Sequence, residues 1–195
     1  GRDCLLLVTG VGPLSAALHA GLTLGRAACS GLLCLGVAGS FDTSALPLCA
    51  TTAVREEVFA DYGLARAHGV DPRGIRFPQG TARGMEIFDR LPLDPESSAR
   101  AMGLALPADW PRASCLTVAA ASGDEAVARS RDAHGCGLEA MEGFALAYAA
   151  AVAGLPLLMV RTISNRVGTR PPADWELPGA LAALGDAART LLHGS

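Results

Sequence analysis

The stretch from Gly137 to Thr169 constrains the fold most, because it reads as helix, buried strand and polar turn in succession. Leu138 to Ala153 has the composition of a helix whose apolar side is broken near its start by Glu139 and Glu142. Gly154 and Pro156 stop it, as a C-terminal glycine and a following proline do. Leu157, Leu158, Met159 and Val160 then form an unbroken apolar run, the pattern of a strand buried on both faces. It discharges into Arg161-Thr162-Ile163-Ser164-Asn165-Arg166, so basic, hydroxyl and amide groups cluster where a buried strand ends. In open α/β sheets ligands sit outside the carboxyl ends of the strands. Function is expected there.

The rest of the chain alternates in the same way. Cys4 to Val8 reads as a buried strand, and Thr9-Gly10-Val11-Gly12-Pro13 turns it into a helix running to about Cys29, with Pro13 suited to the first helical position. Leu32 to Val37 is a second buried strand, ending in Gly36-Val37-Ala38-Gly39-Ser40, a loop able to bring bare backbone amides against a ligand. Thr51 to Val58 alternates as a strand and leaves Glu56, Glu57 and Asp61 at its end. From Gly63 to Pro111 the chain is rich in Gly, Pro and Arg and reads as an excursion, a lid or subunit contact, with one helix near Glu96 to Gly103. Cys115 to Ala119 is the next strand, Ala120 to Gly123 a turn, and Asp124 to His134 a helix. A closing amphipathic helix spans Leu177 or Pro178 to His193, with Leu181, Leu184, Ala188 and Leu191 on one face.

Alternating strands and helices over 195 residues give one α/β domain covering 1–195. The chain opens on Gly1 with a strand almost at once, which reads as the second half of a hairpin whose first half is absent. Half of the residues are hydrophobic and 18% are charged, the balance of a globular protein. A net charge of −3 with scattered basic residues gives no footprint for nucleic acid. The six cysteines lack paired spacing and several lie in apolar runs, which suits a reduced, cytoplasmic protein without zinc. No run reaches the ~18 apolar residues that span a bilayer, so no membrane partner is expected.

Most local motifs reduce to structure. Thr9-Gly10-Val11-Gly12 would need glycine where Ser15 stands to complete a dinucleotide loop, and no acidic residue ends the next strand to hold a ribose. Tight strand-to-helix packing explains it. His19, His68, His134 and His193 fall on helix surfaces or in the excursion, away from strand ends, and Ser15, Ser122 and Ser164 lack the elbow of hydrolase nucleophiles. Glu142 stands out. Beside Met141, Phe144 and Ala145 an unpaired carboxylate is costly, and sugar hydroxyls would supply its donors.

Gly36-Val37-Ala38-Gly39, Glu139-Ala140-Met141-Glu142-Gly143 and Val160-Arg161-Thr162-Ile163-Ser164-Asn165 occur in an order and near a spacing that resemble the nucleoside phosphorylase and nucleosidase superfamily. Its patterns are G-x-A-G, M-E-G/A and V-R-x-I-S-D/N. Ile163 to Gly168, followed by Asp174-Trp175, is most similar to the futalosine hydrolase branch of menaquinone biosynthesis. The resemblance implies a three-layer αβα fold around a central mixed, twisted sheet. It implies that Met141 and Glu142 meet the ribose, that Asn165 faces N7 of the purine with Ser164 and Arg161 as supporting neighbours, and that Asn165, Glu142 and Arg161 form the catalytic set. Val37, Ala38 and Gly39 would line the sugar and the reactive carbon. Ala119, Ala120 and Ala121 would hold the base through their backbone.

Two departures accompany the resemblance. Family hydrolases often present an aromatic face to the purine where only those alanines stand. The water-activating acid follows the first strand of the family fold, a strand this chain is expected to lack. The implied activity is cleavage of futalosine to hypoxanthine and the dehypoxanthinyl sugar, with no cofactor and in a homo-oligomer. A 6-aminopurine thionucleoside nucleosidase and a non-catalytic purine-nucleoside-binding domain are the alternatives.

Overall fold

The computed structural model describes residues 3–67, 69–169 and 175–193. Its central sheet is built from β1 (Leu32–Ser40), β2 (Thr51–Phe59), β7 (Arg90–Pro92), β8 (Arg112–Thr117), β9 (Leu138–Ala140) and β10 (Leu157–Arg166). Their order is β10-β1-β9-β8-β2-β7, and β10 also pairs with β2, so the sheet curls strongly upon itself. Parallel pairs (β1 with β10, β2 with β8, β8 with β9) combine with antiparallel ones (β1 with β9, β2 with β10, β2 with β7), giving the expected mixed sheet.

Helices flank both faces. On one side, α1 (Pro13–Leu24) and α4 (Gly143–Ala153) cover Val54, Cys115, Met159 and Ile163. Ala16 and Ala20 let α1 approach closely, and both are buried. On the other side, α2 (Pro95–Met102) and α5 (Leu177–His193) cover Leu158 and Val160 with Ala99, Ala187 and Leu191. The run from Leu157 to Val160 is thus buried on both faces, and burial continues to Ser164. α3 (Glu125–Asp132) begins where Asp124 accepts the N–H groups of Ala126 and Val127, a standard N-cap. Asp94 and Pro95 start α2 likewise, and left-handed Gly154 ends α4.

Several expectations need correction. Residues 138–140 are strand β9, not the first turn of a helix, and α4 starts only at Gly143. Three residues are too few to display a period of two, and the ladder between β1 and β8 overrides helix propensity there. Residues 36–40 are not a loop but the end of β1, held by β10 and β9. Residues 161–166 likewise remain strand. The strand expected over residues 4–8 makes no ladder, and Leu6 and Val8 are 90% and 79% exposed; without a neighbour an apolar run has nothing to pair with. Helix α1 stops at Leu24, capped by Gly25, and does not reach Cys29. In α5 the buried face is Ala180, Ala187 and Leu191, whereas Leu181 is half exposed. The excursion after β2 contains two small hairpins, β3 (Leu64–Arg66) with β4 (Gly69–Asp71) and β5 (Gly80–Ala82) with β6 (Met85–Ile87), besides β7 and the expected α2. His68 and Asp174 lie outside the described residues.

Candidate active site

Strand register assembles the site. In the β1–β10 ladder Gly39 faces Asn165, and across the other edge of β1 Gly39 faces Glu139. Three segments far apart in sequence therefore meet at one sheet end, two residues from Met141. A side chain at Gly39 would collide with Val167 at 2.9 Å and with the Asn165 amide nitrogen at 3.1 Å. Glycine leaves the room in which Asn165 lies across the strand.

Asn165 is half-buried and its carboxamide is held at both ends. The Ser164 hydroxyl lies 2.9 Å from its Oδ1, and its Nδ2 donates to the Arg166 carbonyl at 2.9 Å. An amide nitrogen carries two hydrogens, so one donor remains for a ligand. Ser164 also sits 3.3 Å from the Ala38 carbonyl, tying the two strands together. A cleft of about 150 Å³ lies beside this end, with Phe41, Arg129, Arg166 and Val167 in its wall.

Glu142 is half-buried, and its Oε1 accepts the N–H of Gly12 at 2.9 Å. The carboxylate expected to lack a protein donor has one. Gly12 reaches it with φ +91°, open only to glycine, which gives the Thr9–Gly12 turn a purpose beyond packing. Oε2 is left for other donors. Met141 packs beside Val58, Leu116 and Val118.

The segment 119–121 leaves β8 as an exposed lip carrying only methyl groups. Asp61 accepts the Ala119 N–H at 2.7 Å, so that amide is already engaged within the protein. At the far end buried Glu139 accepts the Ser122 N–H (2.9 Å) and hydroxyl (2.6 Å), and Arg131 closes on Glu139 at 3.2 Å. Sequence reasoning missed this clamp, because Glu139 seemed to belong to a helix.

Arg161 is 2% exposed and does not reach the surface. Its Nη1 donates to the Cys34 sulfur at 3.3 Å, and the guanidinium fills the space left by Gly36. Burial disfavours its charge, and Cys34, Cys115 and Glu57 outweigh that, so it stays protonated. Glu57 is wholly buried under the start of α4, where its Oε2 accepts the Thr117 hydroxyl at 2.8 Å. Burial pushes its carboxyl up to about 7, against the pull of Arg161 and Thr117. Glu56 instead pairs with Arg90 at 3.1 Å. The signal for Glu57 was blurred by the register irregularity between Val54 and Glu56, which shifts the alternation of β2.

A mixed, curled sheet flanked by helices thus brings Asn165 and Glu139 to one strand end. Residues 1–192 match the phosphorylase superfamily, and the chain belongs to it. It is 34% identical over 195 residues to a futalosine hydrolase of Thermus thermophilus, covering 98% of this chain and 82% of that protein. It is 36% identical over 190 residues to a futalosine hydrolase of Streptomyces coelicolor, covering 93% of this chain and 75% of that one. Among solved structures, a 5′-methylthioadenosine/S-adenosyl homocysteine nucleosidase of Campylobacter jejuni superposes with a TM-score of 0.67 at 19% identity, over 92% of this chain and 75% of that one. Among the described residues no helix is long and apolar enough to cross a membrane.

Proposed function

We propose that this chain is a purine nucleosidase that hydrolyses the N-glycosidic bond of futalosine, yielding hypoxanthine and dehypoxanthine futalosine. The register that sets Gly39 against both Asn165 and Glu139 carries the reading, and relatives in two bacteria named for that activity support it. In this reading Glu142 takes ribose hydroxyls on its free oxygen, with Met141 against the sugar. Val37, Ala38 and Gly39 flank the reactive carbon. Asn165, steadied by Ser164, donates to N7, and Ala119, Ala120 and Ala121 form the lip over the base. Arg161 supports from beneath. Cleavage passes through an oxocarbenium-like ribose while the departing purine is stabilised at N7. We place the protein in the cytoplasm as a homo-oligomer and assign it no cofactor.

Water is the nucleophile in this reading. A phosphorylase needs charged donors for a dianion near the G-x-A-G strand. Here Cys34, Leu35, Val37 and Ala38 carry none, and the guanidinium of Arg161 is turned onto Cys34 beneath the strand.

The base preference follows from Asn165. Hypoxanthine presents two acceptors, O6 and N7, whereas adenine presents a donor beside N7. An amide donor suits the first, and an ionised aspartate would repel O6. Asn also cannot deliver a proton to N7, which favours the better leaving group. In competition between futalosine and its 6-amino counterpart, with released base quantified by chromatography, futalosine is expected to win. Asn165→Asp should erode or invert the ratio by ~10²-fold, the scale of a mismatched buried polar partner. A wild-type preference for the 6-amino substrate would replace this reading with an aminopurine nucleosidase.

A further inference from the structure

The Met141–Glu142 turn is fixed from below by a chain of polar contacts. The Phe144 N–H, at the first turn of α4, donates to the Thr117 hydroxyl at 2.8 Å, and that hydroxyl donates to Glu57 at 2.8 Å. All three residues are buried. Gly143 presses on the Glu57 carboxylate so closely that an added methyl would lie 2.0 Å from Oε1. An unsatisfied N–H at a helix start is ordinarily met by a capping side chain, yet Glu142 at the cap position makes no capping bond. Its carboxylate is turned to Gly12 instead. Thr117, backed by Glu57, takes the capping role instead, and Glu142 is left to hold Gly12 with one oxygen while its other is unengaged.

We propose that Glu57 is a positioning residue of the site: through the Thr117 hydroxyl and the Phe144 N–H it sets where the start of α4 holds Glu142. The proposal rests on reading Glu142 as the sugar-binding carboxylate. Glu57 touches no substrate. Its charge matters because a carboxylate polarises the hydroxyl it accepts, making that oxygen a better acceptor for the next N–H. The groups bearing on it are Arg161 from β10, Cys115 from β8, Glu142 from the turn before α4, and Cys136 before β9. Burial holds its titration near neutral pH, so the relay strengthens as pH rises through about 7.

Two readouts on the full chain test this. In NMR the Phe144 amide of the wild type should shift with a midpoint near pH 7, and Glu57→Gln should abolish that titration. In calorimetry with inosine as probe, wild-type affinity should tighten across the same interval. Thr117→Val should weaken inosine by roughly tenfold, as loss of a buried hydrogen bond does, and Thr117→Ser should restore it to within about threefold. A flat Phe144 amide in the wild type overturns the relay whether or not inosine binds. Thr117→Val binding inosine as tightly as the wild type, or Glu57→Gln keeping the wild type's tightening across pH 6–8, reduces Glu57 to a structural role. If the amide titrates but the wild type binds no inosine, the functional reading fails and the assignment to the sugar end falls with it. Should Thr117→Val not fold, the amide titration and the Glu57→Gln pH profile decide alone.

Discussion

Gly143→Ala separates helix propensity from packing at the point where the two oppose each other. Alanine is favoured over glycine in a helix by up to about 1 kcal/mol. Gly143 opens α4 and is not among the glycines held at positive φ, so alanine meets no backbone obstacle. Propensity alone predicts a more stable protein. The added methyl, however, would sit 2.0 Å from Glu57 Oε1 and 2.4 Å from its carboxyl carbon. Glu57 is 0% exposed, so the carboxylate has no solvent to swing into. Displacement by an ångström or more costs about 1–3 kcal/mol as overpacking. Losing the Thr117 contact leaves a buried carboxylate short of a donor, for a further ~1–3 kcal/mol. Taking middle values and subtracting the propensity gain, the variant should lose about 3 kcal/mol, a fall in Tm of ~6–12 °C for a chain of this length. Calorimetric melts of Gly143→Ala in the wild-type and Glu57→Asp backgrounds measure the coupling. The shorter side chain withdraws the carboxylate, so the penalty should shrink there by at least about 1 kcal/mol. A Tm raised by Gly143→Ala, or an equal penalty in both backgrounds, would refute the packing argument.

Glu142→Gln should cut turnover of futalosine far more than it cuts stability, with the melt unchanged within a few degrees, because Gln can still accept the Gly12 N–H through its carbonyl. Unfolding with intact residual specific activity would make Glu142 structural. The pH dependence of stability should also carry the mark of Glu57. Its folded pKa, about 7, stands above its ordinary value, so the stability it contributes is full below the unfolded pKa near 4.5 and is lost as pH rises through 7. Relative to Glu57→Gln, the wild type should lose up to about 3 kcal/mol between those limits in urea unfolding. Parallel pH profiles for the two proteins would contradict the buried, titrating carboxylate.

The sequence was legible where one signal dominated. The apolar run at Leu157 to Val160 has the pattern of a doubly buried strand, and Gly154 followed by Pro156 marks a helix end by local stereochemistry. The neighbourhood of Gly39 and Asn165 was legible through family patterns rather than physics, because the register joining them is a long-range property of β1 and β10. What escaped was whatever depended on partners. β9 is three residues of strand fixed from both sides by neighbours over twenty residues away in sequence. Residues 4–8 have strand composition but no ladder. Glu57 hid in Arg55-Glu56-Glu57, where a bulge turns one of three adjacent charged residues wholly inward. A charged cluster of that kind reads as solvated because two of its three members are.

The acidic residues around the site explain how an all-alanine lip can still be a precise surface. In the proposed reading, methyl groups at 119–121 offer a base neither a ring to stack on nor a side-chain donor, so discrimination there comes from where the backbone is held. Held it is, by Asp61 at the Ala119 N–H and by Glu139 at the Ser122 N–H, with Arg131 neutralising the second. A carboxylate accepting a backbone N–H makes a shorter, stronger bond than a neutral oxygen does. Anchoring both ends removes freedom the segment would otherwise lose on binding, and a ligand then meets a surface whose ordering cost has already been met. The same logic runs through Gly12 on Glu142 and Phe144 on Thr117. Each contact joins backbone from one element to a side chain from another. In the proposed reading, a flaw in any of them should therefore disturb the relative placement of base and sugar before it disturbs the fold.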